Sequence, residues 1–214
     1  MSVVIIDYGM GNLRSVEQAL KAVAVGEDVR VSADPAEVAK AGRVVFPGQG
    51  AMPDCMAELS RRHLREAVLA AAAEKPFLGI CIGLQMLFQH SEEGDAEGLG
   101  IFPGEVRRFV EERCLAPDGS RLKVPHMGWN QVWRTKKAPE HPLWAGIADG
   151  ARFYFVHSYH VVPRDETLIA GRCEYGQTFT CAVERDNIFA VQFHPEKSAG
   201  DGLRLLANFM RWNP

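Results

Sequence analysis

The sequence lacks the features of membrane-spanning, secreted and disordered proteins. Its longest stretch without Asp, Glu, Lys or Arg, from Pro76 to Ser91, is shorter than the roughly 20 apolar residues that a membrane helix needs. The first residues, Ser2 to Asp7, have no basic flank and no small-residue cleavage site, so we expect no secretion signal and no membrane partner. No internal repeat is present, and hydrophobic residues make up 47% of the chain. Disordered, collagen-like and coiled-coil proteins are therefore excluded.

Cysteines are few and irregularly spaced, and positive charge is not in excess. The five cysteines form no C-x-x-C pair, which argues against a disulfide framework and against a thiolate metal site. We therefore expect the reducing cytoplasm as the location. The 24 basic residues stand against 27 acidic ones. Because nucleic-acid binding needs a clustered basic surface, this balance argues against a nucleic acid as partner.

The hydrophobic pattern changes along the chain and predicts an α/β fold. Before residue 90, buried β-branched runs alternate with helix-period runs, which favours a parallel sheet with helices on both faces. The predicted strands are 3–6, 28–31, 43–46 and 77–80, and the predicted helices are 13–24, 52–73 and 83–90. Later runs predict hairpins and sheet extensions at 106–110, 129–133, 152–156, 168–173, 179–183 and 188–193, surface loops at 91–100 and 111–121, and a closing helix at 202–212. We expect one domain, 1–214, with a central, mostly parallel sheet flanked by helices and additional antiparallel strands.

Cys81 stands between a predicted buried strand and a helix-period run, in Gly79-Ile80-Cys81-Ile82-Gly83-Leu84-Gln85. A tight strand-to-helix turn strains the central residue, and the glycines two residues to either side remove side chains that would collide with it. Unpaired N–H groups at the helix start favour a thiolate over a thiol. The pattern predicts a nucleophile, and the alternative is a small apolar core residue.

A thiolate in acyl transfer needs a partner that takes its proton and returns it to the leaving group. His194, in Phe193-His194-Pro195-Glu196, is the best candidate, because it follows a predicted strand and would lie at the same sheet edge as Cys81. Glu196 is two residues further on, so in an extended segment both side chains project to the same side. We predict that Glu196 holds the His194 ring in one tautomer.

The attack of a thiolate on a carboxamide also requires hydrogen-bond donors for the oxyanion that forms. Gly48, Gln49 and Gly50, at the end of a predicted strand, offer backbone N–H groups, and Ile82 offers another directly after the nucleophile. The side chain at position 49 matters little if the backbone donates. The alternative for this segment is an ordinary strand-to-loop turn.

Together these motifs resemble the class I, or triad-type, glutamine amidotransferases. Three further blocks are similar to one group within that class, the glutaminase subunits of imidazole glycerol phosphate synthase in histidine biosynthesis. The blocks run from Ile5 to Val16, from Pro125 to Asn130 and from Phe153 to Tyr159. The resemblance covers nearly the whole chain and implies a class I glutamine amidotransferase-like fold.

The resemblance implies that glutamine is hydrolysed through a γ-glutamyl thioester on Cys81, with His194 as acid and base and Glu196 as its orienting carboxylate. Gln85 and the Ser158–Tyr159 backbone would hold the substrate. The residues implied in substrate binding and oxyanion stabilisation are Gly48, Gln49, Gly50, Ile82, Gln85, Ser158 and Tyr159.

The same resemblance implies a partner subunit. Ammonia would pass, without release to solvent, to a cyclase with a (β/α)₈ barrel in a heterodimer. The cyclase would use it to form imidazole glycerol phosphate and an aminoimidazole carboxamide ribonucleotide. The residues implied on the partner-facing side are Asn12, Trp129, Asn130 and Tyr154. We expect the isolated chain to be nearly inactive, with an oxyanion donor near Gln49 that points away until the partner docks.

Neither a cofactor nor a metal is predicted. Residues 7–12 contain one G-x-G but lack the third glycine of a dinucleotide-binding loop. His157 and His160 have no Asp, Glu or Cys at a ligand-like spacing, and their segment alternates like a strand.

Three other functions stay open on the sequence alone. The chain could be a sibling amidotransferase with another ammonia acceptor, because such enzymes share the triad. It could be a cysteine γ-glutamyl hydrolase that works without a partner and needs a wide cleft. It could also be a sensor in which Cys81 is only a redox-reactive thiol.

Overall fold

A computed structural model of the chain describes residues 2–135 and 141–214. The strands are β1 (Ser2–Ile6), β2 (Asp28–Ser32), β3 (Arg43–Gly48), β4 (Phe77–Cys81), β5 (Phe88–Ser91), β6 (Ala96–Glu97), β7 (Phe102–Arg108), β8 (His126–Gln131), β9 (Trp133–Arg134), β10 (Arg152–His157), β11 (Tyr159–Pro163), β12 (Ile169–Glu174), β13 (Thr178–Arg185) and β14 (Ile188–Val191). The helices are α1 (Leu13–Val23), α2 (Pro35–Lys40), α3 (Met52–Arg61), α4 (Arg65–Glu74), α5 (Ile82–Gln85) and α6 (Ala199–Arg211).

One large sheet organises the molecule, in the order β2-β1-β3-β4-β14-β13-β11-β7-β5-β6. The contiguous block from β2 to β14 is parallel. Antiparallel pairing begins where β14 meets β13 and continues through β11 to β7. Strands β8 and β10 form a separate antiparallel pair. The predicted fold class is confirmed: a central parallel block flanked by helices and extended by antiparallel strands.

The parallel block is the buried centre of the fold. Strands β3, β4 and β14 are buried at every position, as expected for parallel strands covered on both faces. Helix α1 buries Val16 and Leu20, and α6, which lies against it, buries Leu205 and Phe209. The spacing of four residues in each pair places both side chains on one helix face. These amphipathic helices therefore turn their apolar faces to the core, where α1 contacts β1 and β2, and α6 contacts β10.

The predicted helix 52–73 is wrong as one element, because it is two helices. Helix α3 ends at Arg61, and His63 has a left-handed backbone with φ +56°. Leu64, the next residue, is fully buried, and α4 begins at Arg65. The break lets Leu64 enter the core, and this burial offsets the helical hydrogen bonds that are lost.

The predicted helix 83–90 is also wrong, because α5 stops at Gln85 and β5 follows. Phe88 is fully buried and pairs in register with Phe102 of β7, with ring centroids 5.7 Å apart. Strand pairing and aromatic packing therefore outweigh helix continuation here. The predicted loop 91–100 contains the short strand β6, and α2 was not predicted, although Asp34 and Pro35 are an ordinary helix start.

Within residues 2–135 and 141–214, no helix combines the length and the apolarity required to cross a membrane. All five cysteines are free and buried. Cys173 and Cys181 lie on the paired strands β12 and β13.

Candidate active site

Three parallel strands end at one edge of the sheet and bring the predicted active-site segments together. Gly48, the last residue of β3, is the register partner of Cys81, the last residue of β4. Val191, at the end of β14, pairs with Ile80, so the segment that continues to His194 leaves the sheet beside Cys81. Ligands bind at the carboxyl ends of parallel strands in sheets of this kind. The register thus unites the oxyanion segment, the candidate nucleophile and the histidine.

Cys81 has a strained backbone at the turn between β4 and α5. Its φ is +55° and its ψ is −111°, a combination that residues with a side chain rarely adopt. A Cβ on Gly83 would lie 1.8 Å from the Phe46 carbonyl oxygen, and one on Gly79 would lie 2.8 Å from the Ala190 Cβ. The close approach of these neighbours explains why glycines stand two residues to either side of the cysteine.

His194 and Glu196 form a close pair next to Cys81. His194 Nδ1 lies 2.9 Å from Glu196 Oε1, and the two side chains are 6% and 2% exposed. Burial opposes charge on the imidazole, but the Cys81 sulfur and the Glu196 carboxylate outweigh it and raise the pKa of His194 to about 10. His194 Nε2 has no hydrogen-bonded oxygen or nitrogen partner among the described residues, which leaves the sulfur as its neighbour. The arrangement favours a protonated His194 ring next to the Cys81 sulfur.

The oxyanion segment has a buried start and an exposed end. Gly48 lies against the Tyr8 hydroxyl, whose oxygen would be 2.2 Å from an added Cβ, whereas Gln49 and Gly50 are exposed. Burial raises the pKa of Cys55 to about 11, so this thiol keeps its proton. It donates to the Gln49 carbonyl over 3.7 Å. The bond orients the peptide group between Gln49 and Gly50.

A cavity of about 250 Å³ opens beside Cys81. The predicted residues that line it, with Cys81 and His194, are Gln49, Gly50, Ile82, Gln85, Ser158 and Tyr159. Ile82 begins α5, so its N–H has no acceptor within the helix. Sites for drug-sized ligands typically have volumes of about 300–1,000 Å³, and this cavity is smaller. Its size accommodates a single amino acid.

Gln85 is buried in the cavity wall and held by two hydrogen bonds. Its Nε2 donates to the Tyr159 carbonyl and to Gln192 Oε1, each over 3.0 Å. Its Oε1 has no partner among the described residues. The Tyr159 carbonyl also accepts from His157 Nδ1 over 2.8 Å, so both lone pairs are used. This carbonyl therefore holds Gln85.

Sequence reasoning missed two polar side chains at the site. Glu93 lines the cavity, and its Oε2 accepts from the Met52 N–H over 2.8 Å. It stands in the polar segment 91–100, where nothing distinguishes it from surface residues. Gln192 places its Nε2 3.7 Å from Cys81 Sγ. The available signal was a lone amide in the otherwise apolar run 188–193.

His126 and His157 form a buried pair at the cavity wall. His126 Nδ1 lies 3.0 Å from His157 Nε2. Because His157 Nδ1 must donate to a carbonyl, its Nε2 accepts from His126. Burial lowers the pKa of His126 to about 4 and that of His157 well below its usual value, so both rings are neutral. Across the described ranges, no group of three or more His, Cys, Asp or Glu is placed to hold a metal ion.

Two of the predicted partner-facing residues lie together on the β8–β10 pair. Trp129 and Tyr154 are register partners, their ring centroids are 6.3 Å apart, and Trp129 is 48% exposed. Asn12 lies elsewhere, at the start of α1, where its Oδ1 accepts from the Ser15 N–H over 3.4 Å.

Asn130 is bonded within the chain through both ends of its amide. Its Nδ2 donates to the Glu174 carbonyl over 2.7 Å and to His126 Nε2 over 3.3 Å. Its Oδ1 accepts from the Gln131 N–H over 2.8 Å. The side chain thus ties β8 to β12 through its NH₂ group.

Comparison with known proteins gives consistent results. The family model described as Glutamine amidotransferase class-I matches residues 4–212. The imidazole glycerol phosphate synthase subunit HisH of Dechloromonas aromatica is 66% identical to this chain, over 100% of the chain and 97% of that protein. The subunit of the same name from Aromatoleum aromaticum is 66% identical, over 99% of each.

Solved structures show the same fold at lower identity. PurLQS from Thermotoga maritima superposes with a TM-score of 0.70 at 17% identity, covering 98% of this chain and 97% of that one. The glutaminase domain of Trypanosoma brucei CTPS, solved with bound acivicin, gives 0.62 at 17% identity, covering 100% and 95%. With the family model spanning almost all residues and two relatives at 66% identity, the chain belongs to the class I glutamine amidotransferases.

Proposed function

We propose that this chain hydrolyses glutamine through a thioester on Cys81 and delivers the ammonia to a cyclase partner. One observation carries the chemistry. Cys81, His194 and the exposed Gln49–Gly50 segment border the same cavity of about 250 Å³, and Glu196 holds the His194 ring through Nδ1. The proposal takes residues 1–214 as one domain that works in the cytoplasm without a metal or a cofactor.

The first half of the reaction forms the thioester. The Cys81 thiolate attacks the side-chain carboxamide carbon of glutamine, and the carbonyl electron pair moves to oxygen. Backbone N–H groups of Ile82 and of the Gln49–Gly50 segment stabilise that oxyanion. His194, as imidazolium, protonates the nitrogen, the C–N bond breaks, and ammonia leaves. In the resting site the pKa of His194, about 10, means that the ring carries this proton at neutral pH before the attack.

The second half returns the enzyme to its starting state. Neutral His194 takes a proton from water as the oxygen attacks the thioester carbon. The C–S bond then breaks, glutamate leaves, and the thiolate and the imidazolium are restored. Glu196 holds Nδ1 throughout, so Nε2 performs both proton transfers.

The cavity wall supplies complementary groups for free glutamine. Glu93 offers a carboxylate to the α-ammonium group, and Gln85 Oε1, which lacks a partner among the described residues, offers an acceptor. The cavity of about 250 Å³ accommodates a free amino acid.

The partner assignment rests on the relatives named HisH, which are subunits of imidazole glycerol phosphate synthase. We extend that role to this chain: it would deliver ammonia to a barrel-shaped cyclase in a heterodimer for histidine biosynthesis. Trp129, Tyr154 and Asn12 are the proposed contacts. Tyr154 also links the two sites, because its carbonyl accepts from the His194 N–H over 2.9 Å.

Labelling with a glutamine-mimicking electrophile, 6-diazo-5-oxo-L-norleucine, tests the chemistry. We expect mass mapping to find the label on Cys81 alone, glutamine to protect it, and Cys81→Ala to abolish it. The buried Cys181, mutated to Ala, is the matched control and should leave labelling unchanged. Labelling spread over other cysteines, or unaffected by glutamine, would reject the glutaminase assignment.

A second assay tests the partner. We expect slow glutamine hydrolysis by the chain alone and a strong increase when the cyclase and its nucleotide ligand are added. Equal rates with and without the cyclase would contradict the proposal. Turnover of γ-glutamyl peptides without any partner would instead support the free-standing hydrolase.

A further inference from the structure

Gln192 is a fully buried amide between the candidate nucleophile and the cavity wall. Its exposure is 0%, and it directly follows β14, whose last residue, Val191, pairs with Ile80. Its backbone N–H donates to the Cys181 carbonyl over 2.8 Å, which fixes the start of the side chain. The side chain then contacts two site residues at once, Cys81 and Gln85.

The hydrogen-bond network determines which end of the Gln192 amide faces the sulfur. The Tyr159 carbonyl can only accept, so the end of the Gln85 amide that meets it over 3.0 Å must be the NH₂ group. The same NH₂ group meets the Gln192 amide over 3.0 Å, so Gln192 presents its oxygen there. Its own NH₂ group therefore points to Cys81 Sγ, 3.7 Å away.

This orientation gives the sulfur a neutral donor in addition to His194. An amide N–H stabilises a thiolate by hydrogen bonding but takes no part in proton transfer, because the amide does not ionise at ordinary pH. The oxygen of the same amide accepts from Gln85 Nε2 and so fixes the orientation of the Gln85 amide. In this orientation Gln85 Oε1 has no partner among the described residues. One side chain thus influences both the nucleophile and a wall of the cavity.

We propose that Gln192 is a positioning residue for glutamine hydrolysis: its NH₂ group holds the Cys81 sulfur, and its carbonyl oxygen orients the Gln85 amide toward the substrate. This inference rests on the function proposed above. It predicts two separable effects, one on the reactivity of the thiolate and one on the affinity for glutamine.

Two variants separate these effects. Gln192→Met keeps the length of the side chain but removes both hydrogen bonds. We expect kcat with the cyclase present to fall by about 10- to 100-fold, as for the loss of a hydrogen bond to a charged group, and KM to rise several-fold. Gln192→Glu keeps an oxygen for Gln85 but replaces the donor. We expect KM close to that of the unmodified chain and a kcat reduced at least as much as in Gln192→Met.

The readout for the sulfur is alkylation of Cys81 by iodoacetamide, measured against pH on the chain alone and quantified by peptide mass mapping. We expect the midpoint of the profile to rise by about one pH unit in Gln192→Met, because one charge-assisted hydrogen bond is lost. A larger rise is expected in Gln192→Glu. The titratable groups that influence the sulfur, His194, Tyr8 and Cys55, are unchanged in both variants.

Thr180→Val on β13 is the matched control, because it also replaces a buried polar group with an apolar one of similar shape. It should leave the alkylation profile and KM unchanged. If both Gln192 variants keep the profile and kinetic constants of the unmodified chain, the inference is overturned. Alkylation of Cys81 needs no glutamine, so it tests the contact between Gln192 and the sulfur separately. If the chain has no glutaminase activity but the Gln192 variants shift the alkylation profile, the proposed function and the glutamine-positioning role are rejected. The contact with the sulfur would still be supported.

Discussion

His194 Nδ1 lies 2.9 Å from Glu196 Oε1, and Pro195 is the only residue between them in the chain. The His194 N–H donates to the Tyr154 carbonyl, and its carbonyl accepts from the Ser198 hydroxyl over 2.6 Å. The backbone on both sides of the ring is therefore anchored. Glu196 is hydrogen-bonded to Nδ1, and Nε2 is therefore available to the Cys81 sulfur.

Replacing Glu196 with Gln tests this relationship, because the amide keeps the shape but loses the charge. The Cys81 sulfur and, after it, the Glu196 carboxylate raise the pKa of His194 to about 10 against the effect of burial. Without the carboxylate the pKa falls, so the protonated ring persists over a narrower pH range. We expect the high-pH fall of kcat to begin at lower pH, and kcat at neutral pH to decrease by about 10- to 100-fold.

The measurement is a pH profile of glutamine hydrolysis in the presence of the cyclase. Glu66→Gln, on the exposed side of α4, removes the same charge away from the site and should leave the profile unchanged. A Glu196→Gln profile that matches that control would show that the carboxylate has no role in proton transfer.

Gly48 makes a close contact whose cause can be removed by a second mutation. In Gly48→Ala the new Cβ would lie 2.2 Å from the Tyr8 hydroxyl oxygen, with Ile82 Cβ next at 3.0 Å. We expect the single mutation to lower the free energy of unfolding by about 2 kcal/mol, as overpacking does. Adding Tyr8→Phe removes the clashing oxygen and should recover most of the loss.

Urea unfolding of the two single variants and the double variant gives the coupling energy. Gly83→Ala provides the comparison, because its Cβ would meet the Phe46 backbone oxygen at 1.8 Å, and no side-chain change can relieve that contact. Equal stabilities of Gly48→Ala with and without Tyr8→Phe would contradict the assignment.

The sequence predicts the parallel half of the fold because its signals there are local. Apolar runs of four or five residues mark the central strands, and Gly79 and Gly83 mark the strained turn. The break before Leu64 and the strand at Phe88 were not predictable in this way. Both depend on where a side chain is buried in the core, which helical periodicity does not reveal.

The same distinction applies to the candidate site: residues with a local sequence signal were predicted, and the others were not. Cys81, His194 and Glu196 come together because two strands with recognisable ends are neighbours in the sheet. Gln192 and Glu93 were missed because their importance depends on which face of a strand or loop meets the cavity. Residue spacing did not provide that information.

Glu184 on β13 allows a test of stability against pH. Burial raises the pKa of this carboxyl to about 7, and its neighbour His141, 3.6 Å away, is neutral because burial lowers its pKa to about 4. The folded state thus binds the Glu184 proton more tightly than the unfolded state, in which the pKa is near 4.5. Below pH 4.5 the carboxyl is protonated in both states, and ionisation of Glu184 does not affect stability. As the pH rises from 4.5 to about 7, ionisation in the unfolded state progressively lowers the free energy of unfolding.

We therefore expect Glu184→Gln to raise the free energy of unfolding at pH 8 by about 1 kcal/mol, a value reduced for partial exposure. At pH 4 the difference should vanish. Denaturant unfolding at both pH values measures it, with Glu66→Gln as the control. A gain that is equal at the two pH values would point to packing and not to the charge.

Trp129 allows the proposed docking surface to be tested against a matched tryptophan. Trp129 is 48% exposed and Trp133 is 46% exposed, but Trp129 lies on β8 beside Tyr154, whereas Trp133 lies on β9 and pairs with β12. Large aromatic side chains commonly dominate binding energy at interfaces. We expect Trp129→Ala to weaken cyclase binding by at least 10-fold, about 1.4 kcal/mol, and Trp133→Ala to change it little.

Titration calorimetry with the cyclase measures both affinities, and iodoacetamide labelling of Cys81 confirms that each variant keeps its nucleophile. If the two variants bind the cyclase with equal affinity, Trp129 contributes no more to binding than Trp133 does. The docking surface would then not lie on the β8–β10 pair.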